Sequence, residues 1–305
     1  MVRESAKKCL RYISPRRKEN VLNMILLIVL SVMVIYYFQV RFKRYEMPKY
    51  EGVTWPESSF QMQHVIPDYS KHRSGPGENG NAVSLSGEEK ERGDADMKKW
   101  FMNVVASDKV SLDRSLPDTR HPKCRLVKYD IDDLPRTSVI IIFTDEAWTP
   151  LLRTVHSVIN RTPPRLLEEV ILLDDFSQRD ELKGKLNDYI KRFGGLVKLI
   201  RKNERQGLIR AKLEGAKLAV GEVIVFLDSH CEANAGWLEP ILARIKTKRS
   251  AVVCPIIDYI EAETMRYSGG GHGDAVGGFW WSLHFRWDPI GEAEQKRRKS
   301  VTEYV

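Results

Sequence analysis

From Ser138 onward, short apolar runs alternate with stretches of helical period, and that alternation confines the chain to very few folds. SVIIIF at 138–143 reads as a first strand. Leu151, Leu152, Val155, Val158 and Ile159 mark one face of a helix that Pro163 and Pro164 end. Val170 to Leu173 reads as a second strand. Leu182, Leu186, Ile190 and Phe193 then recur at helical spacing up to the Gly194-Gly195 stop. Val197 to Ile200 predicts a third strand, 207–220 a third helix and EVIVFL at 222–227 a fourth strand. A helix over 237–246 and a further strand over 251–257 complete the series. Such βαβ repetition implies an α/β fold with a mainly parallel sheet, and the residues from about 120 onward suffice for one such core.

Open parallel sheets place their chemistry at the carboxyl ends of the strands, so the residues after each strand matter most. These are Thr144-Asp145-Glu146, Asp174-Asp175 and Asp228-Ser229-His230. A carboxylate and an imidazole two residues apart can turn toward one position and offer two ligands to a divalent cation. The plainer alternative makes Asp228 a helix cap and His230 a hydrogen-bonded loop residue. Asp174-Asp175 could likewise serve only as turn residues. No GxGxxG loop follows the first strand, which argues against a dinucleotide-binding dehydrogenase.

Charge excludes another class of partner. The net charge of +8 is concentrated in residues 1–46, which carry ten Lys or Arg against three Glu and so account for seven of the eight. The remainder has no basic face for a phosphate backbone, and nucleic acid is not an expected partner. Four cysteines, Cys9, Cys124, Cys231 and Cys254, form neither a disulfide framework nor a CxxC pair. Residues 21–40 are free of charge, long enough as a helix to span roughly 30 Å, and run on through Tyr36, Tyr37 and Phe38 without a cleavage site. With seven basic residues before this run and three soon after, the expectation is a signal anchor, with residues 1–20 cytosolic and everything after 41 across the membrane. Residues 41–115, rich in Pro, Gly, Ser and charge, read as a stem, within which Met97, Trp100, Phe101, Val104 and Val105 form a stripe suited to docking on the domain at 116–305.

Several strings together resemble the polypeptide N-acetylgalactosaminyltransferases of mucin-type O-glycosylation: LLRTVHSVINRTPP from Leu151, EVILLDDFS from Glu169, QGLIRA from Gln206, FLDSHCEANAGWLEPILARI from Phe226, VVCPIID from Val252, and GGF with the following Trp281. The resemblance implies a glycosyltransferase type A fold, UDP-N-acetylgalactosamine as donor, manganese as metal, and a Ser or Thr hydroxyl of a polypeptide as acceptor. Carried over by position, Asp228 and His230 resemble the metal ligands, while Asp175 and Arg205 resemble groups that hold the nucleotide. It further implies a single-pass type II protein of the Golgi membrane with a lumenal catalytic domain. No residue stands out as a catalytic nucleophile. Three departures from the family pattern are visible: Thr144-Asp145 replaces the usual His-Asn before Glu146, Trp280 stands where Asn is common, and the sequence at Val305 falls short of the family's remaining catalytic segment and lectin domain. The expectation is therefore a truncated member, with a catalytically inactive, membrane-anchored relative that binds nucleotide sugar or partner transferases as the alternative.

Overall fold

The computed structural model describes residues 61–270, 275–282 and 284–293, together with Leu30, Ser31 and Met33. It divides into two units, 1–52 and 53–305. In the first, Leu30, Ser31 and Met33 are helical. The rest of the expected anchor at 21–40, the tail at 1–20, stem residues 41–60 and the basic run at 296–305 lie outside the described residues. No helix among the described residues is long and apolar enough to cross a membrane.

The second unit is built on four parallel strands: β1 (Thr137–Phe143), β2 (Leu167–Asp174), β3 (Val197–Arg201) and β4 (Val223–Asp228), in the order β3-β2-β1-β4. β1 and β2 are buried along nearly their whole length, as unbroken β-branched and leucine runs require when helices cover both faces of a sheet. The chain leaves β1 through α4 (Trp148–Arg161) and β2 through α5 (Gly184–Ile190). These helices bury Leu151, Leu152, Val155, Val158 and Leu186 against Val139, Ile141 and Phe143 on one face of the sheet. Helix α7 (Glu239–Thr247) joins that side by packing Leu238 and Leu242 on Val223. The opposite face receives α6 (Leu208–Leu218). There Gly215 lies so close to the sheet that a Cβ on it would stand 2.6 Å from Cγ2 of Ile140.

Three further helices precede this core: α1 (Gly87–Trp100), α2 (Val104–Lys109) and α3 (Pro122–Arg125). The described part of the expected stem is folded against the domain. Val83, Ala106 and Val110 pack with Met265, and the backbone N–H groups of Gln63 and His64 donate to the carbonyl of Arg192. The stripe at 97–105 is split between α1 and α2, because Phe101 takes a left-handed conformation between them and points out to solvent.

Two expectations need correction. The helical stretch over 182–193 is interrupted: a 3-10 turn at Asp180–Leu182 precedes α5 and another at Lys191–Phe193 follows it, since Lys183 is non-helical and Gly184 supplies no helix-favouring side chain. The strand expected over 251–257 does not form. Val252, Ile256 and Ile257 are exposed, and a strand exists only where a neighbour accepts its ladder. Pairing resumes instead in two small antiparallel hairpins, β5 (Tyr259–Ile260) with β6 (Tyr267–Ser268) and β7 (Ala275–Phe279) with β8 (Phe285–Pro289).

Candidate functional site

At the carboxyl ends of β1, β2 and β4 lies a cavity of about 200 Å³ lined by Ile142, Phe143, Thr144, Asp175, Arg205, Leu208, Asp228, Ser229 and His230. All four residues singled out by sequence, Asp175, Arg205, Asp228 and His230, therefore meet at one opening. Topology explains the convergence. β1 sits between β2 and β4, so the chain departs in different directions from adjacent strand ends, where open α/β sheets form their crevice.

The loop after β4 is fixed from several directions. Thr154 Oγ1 in α4 donates to the carbonyl of Ser229 at 2.9 Å, and the N–H of Ala233 donates to Ser157 Oγ at 2.9 Å. Beneath it Arg114, 0% exposed, grips Glu232, 3% exposed, through two parallel bonds of 2.7 and 2.9 Å. Arg114 also donates to the Met265 carbonyl at 2.7 Å. A second buried guanidinium, Arg153, lies 3.9 Å from Glu232 and donates to the carbonyls of Ser107 and Val110; burial lowers its pKa to about 10.

Asp228 caps no helix, because α7 begins eleven residues later at Glu239, and its exposed carboxylate makes no side-chain hydrogen bond among the described residues. His230 does have a partner: its Nδ1 is 2.9 Å from Oε2 of Glu146. The same oxygen accepts from Ser229 Oγ at 2.6 Å, and Oε1 accepts from the Ala147 N–H at 2.9 Å. Burial acts to raise the Glu146 carboxyl, but the bonds from His230 and Ser229 outweigh it and leave the carboxyl below its usual range. In return the hydrogen bond and charge of Glu146 raise His230. An exposed carboxylate next to a histidine with one ring nitrogen engaged is a donor set that fits a hard to borderline divalent ion.

Asp175 lines the cavity and also anchors a turn. It is 2% exposed, and its two carboxylate oxygens accept the backbone N–H groups of Gln206 at 2.8 Å and Gly207 at 2.9 Å. The turn it holds carries the exposed Arg205 and opens α6, and Gly207 can occupy it because its φ of 83° is open to glycine. Asp175 thus positions the cation beside it. Across the cavity the loops after β1 and β2 are tied together: Asp145, itself left-handed, accepts from the N–H groups of Gln178 and Arg179, and its own N–H donates to Ser177 Oγ. Of these participants, Glu146 stands out in the sequence only as one of several acidic strand-end residues.

A second cluster, His64, Asp113 and His156, brings its potential ligand atoms within 4.8 Å of one another. None of the three lines the cavity. His156 Nδ1 is 2.6 Å from Asp113 and its Nε2 2.8 Å from the Tyr189 hydroxyl, while His64 Nε2 is 2.6 Å from Asn160 Oδ1. The cluster closes a hydrogen-bonded clasp between the N-terminal segment and α4.

Cys231 lies within the loop after β4, where burial and then the charge of Asp228 push its thiol up to about 11. The reactive thiolate is therefore scarcer on Cys231 than on an ordinary cysteine at the same pH. Iodoacetamide at pH 8 should modify the exposed Cys254 much faster than Cys231, a gap that closes when the protein is unfolded, as read by peptide mass spectrometry. Equal labelling rates for the two in the native protein would show that the Cys231 thiol is not held up by its surroundings.

Residues 138–301 match the family described as Glycosyl transferase family 2. The chain belongs to that family. Within it, the chain is 56% identical over 306 residues to the Probable N-acetylgalactosaminyltransferase 9 of Caenorhabditis elegans, covering 97% of this chain and 52% of that protein. It is 52% identical over 234 residues to Polypeptide N-acetylgalactosaminyltransferase 13 of Homo sapiens, covering 75% of this chain and 41% of the relative. The solved structure of GalNAc-T7 with UDP, GalNAc and Mn2+ superposes with a TM-score of 0.70 at 37% identity, covering 82% of this chain and 49% of that one. The chain thus spans about half the length of the relatives it matches, and the parallel sheet with its strand-end cavity is the glycosyltransferase type A arrangement expected from sequence.

Proposed function

We propose that this protein takes part in transferring N-acetylgalactosamine from UDP-N-acetylgalactosamine to Ser or Thr hydroxyls of polypeptides, with Mn2+ as the metal. The observation that carries this reading is the meeting of Asp175, Arg205, Asp228 and His230 on one cavity, in a chain similar to GalNAc-T7 solved with UDP, GalNAc and Mn2+. Asp228 and His230 would hold the ion. A divalent ion bound there would supply neutralisation of the charge on a departing nucleoside diphosphate. Arg205, held out by the Asp175 turn, offers a guanidinium to the same phosphates, and the amino end of α6 at Leu208 adds its partial positive charge. At about 200 Å³ the cavity is smaller than the roughly 300–1,000 Å³ of sites that enclose a small ligand, which suits seating one part of the donor.

The test is calorimetry of UDP binding to the full chain in detergent, with Mn2+ and then with chelator, followed by a transfer assay using Ser/Thr-rich peptides. Metal-dependent UDP binding with glycopeptide formation supports the transferase. Binding without transfer would favour the inactive relative, and metal-independent binding would overturn the assignment of Asp228 and His230.

The proposal extends to topology: residues 21–40 anchor the protein in the Golgi membrane, with 1–20 cytosolic and the domain lumenal, supported by the uncharged run and its basic flanks. In sealed microsomes a tag after Val305 should resist protease while one before Met1 is digested; the reverse pattern would refute the orientation. The sequon Asn160-Arg161-Thr162 would then lie in a glycosylating compartment, yet it should remain unmodified. Asn160 is 9% exposed and donates to Tyr69 and Asp113, Thr162 accepts from Trp237, and Pro163 follows. A glycosidase-sensitive mass shift abolished by Asn160→Gln would show that modification precedes folding.

A further inference from the structure

We propose that Glu146 is a positioning residue for His230, fixing the tautomer and orientation in which that imidazole meets a divalent metal. The proposal rests on the reading of Asp228 and His230 as the metal-holding pair. Neither the resemblance nor the strand-end pattern assigned Glu146 a role, and its partners are 83 and 84 residues away in sequence.

The geometry leaves little freedom. An ionised carboxylate can only accept hydrogen bonds, so the 2.9 Å contact with Glu146 Oε2 requires the proton to sit on Nδ1 of His230. The lone pair of the neutral ring is then on Nε2, which is the form a metal needs. The carboxylate is itself held. Its Oε2 also takes the Ser229 hydroxyl at 2.6 Å, its Oε1 takes the Ala147 N–H at 2.9 Å, and its side chain is 12% exposed while that of His230 is 55% exposed. Thr154 Oγ1 pins the Ser229 carbonyl from α4, so the loop cannot drift away from Glu146. The result is a carboxylate–histidine pair whose acid comes from the end of β1 and whose base comes from the end of β4, two strands that are neighbours in the sheet. Supporting carboxylates of this kind orient a histidine ligand and raise its basicity, and their loss costs roughly 10–100-fold in metal affinity.

Glu146→Gln tests the idea, because it removes the charge and the obligatory acceptor while preserving size. The full chain in detergent is titrated with Mn2+ alone, followed by electron paramagnetic resonance, and with UDP by calorimetry in Mn2+ and in chelator. The expected result is Mn2+ affinity weaker by about 10–100-fold, with thermal stability and metal-free UDP binding unchanged. A merely structural Glu146 would lower stability and both kinds of binding together. His230→Ala supplies the second arm: if Glu146 acts through the imidazole, adding Glu146→Gln to His230→Ala costs nothing further, and full additivity would overturn the proposal. Should Asp228→Asn weaken Mn2+ binding while Glu146→Gln does not, the positioning role fails and the metal pair stands. If the unaltered chain binds no Mn2+, both fail together.

Discussion

Glu232→Ala is expected to remove about 3–5 kcal/mol of folding stability, the cost of leaving a buried charge without its partner. Two guanidiniums depend on this one carboxylate. Arg114, fully buried, holds it bidentately, and Arg153 stands 3.9 Å away with its other donors committed to Ser107 and Val110. In a domain of this size each kcal/mol moves the melting temperature by roughly 2–4 °C, so thermal unfolding followed by circular dichroism should shift down by about 6–20 °C. Replacing both members, Arg114→Met with Glu232→Leu, should return only the share of the loss that belongs to Arg114, since Arg153 stays buried without the carboxylate. A shift of under 2 °C for Glu232→Ala would mean that water reaches the pair and that the loop after β4 is held by Thr154 and Ser157 alone.

The second large effect concerns Asp228. Its carboxylate is exposed and caps no helix, so Asp228→Asn should leave the melting temperature unchanged while weakening Mn2+-supported UDP binding by at least about 100-fold, more than the loss of a supporting group costs. Asp175→Ala should differ in kind. It frees the N–H groups of Gln206 and Gly207 and with them the turn carrying Arg205, so UDP binding should weaken in chelator as well as in Mn2+. Unfolding by Asp228→Asn, with no change in metal dependence, would return Asp228 to a structural role.

Much of this arrangement is legible in the sequence because its signals are local. The run SVIIIF is a buried central strand wherever a parallel sheet forms, and the acidic residues after β1, β2 and β4 follow the strands directly, so strand order alone brings them to one edge. What is not legible depends on partners. The apolar run at 251–257 has strand composition but no neighbour among the described residues to receive its ladder, whereas Tyr259 and Ile260 find Ser268 and Tyr267. That Asp175, besides lining the cavity, also holds backbone groups is not legible, because their approach depends on the positive φ of Gly207. The bond from Glu146 to His230 is created by the β1–β4 pairing and leaves no mark in either local string.

Gly215 gives a residue without chemistry a say in the dimensions of the site. The height of α6 above the sheet is set by the absence of a side chain there, since a methyl group would press on Ile140, which is fully buried and has nowhere to retreat. Leu208, seven residues earlier and so about 10 Å along the same helix, forms part of the cavity wall. Glycine at 215 therefore acts as a spacer gauge: any larger residue would have to be matched by a trimmed one at 140, or the helix would ride up and the cavity mouth would widen. Selection on the size of what enters this cavity can consequently act at a position that never touches it, and the pair 140 and 215 is where a designer would adjust its depth without disturbing a single polar group.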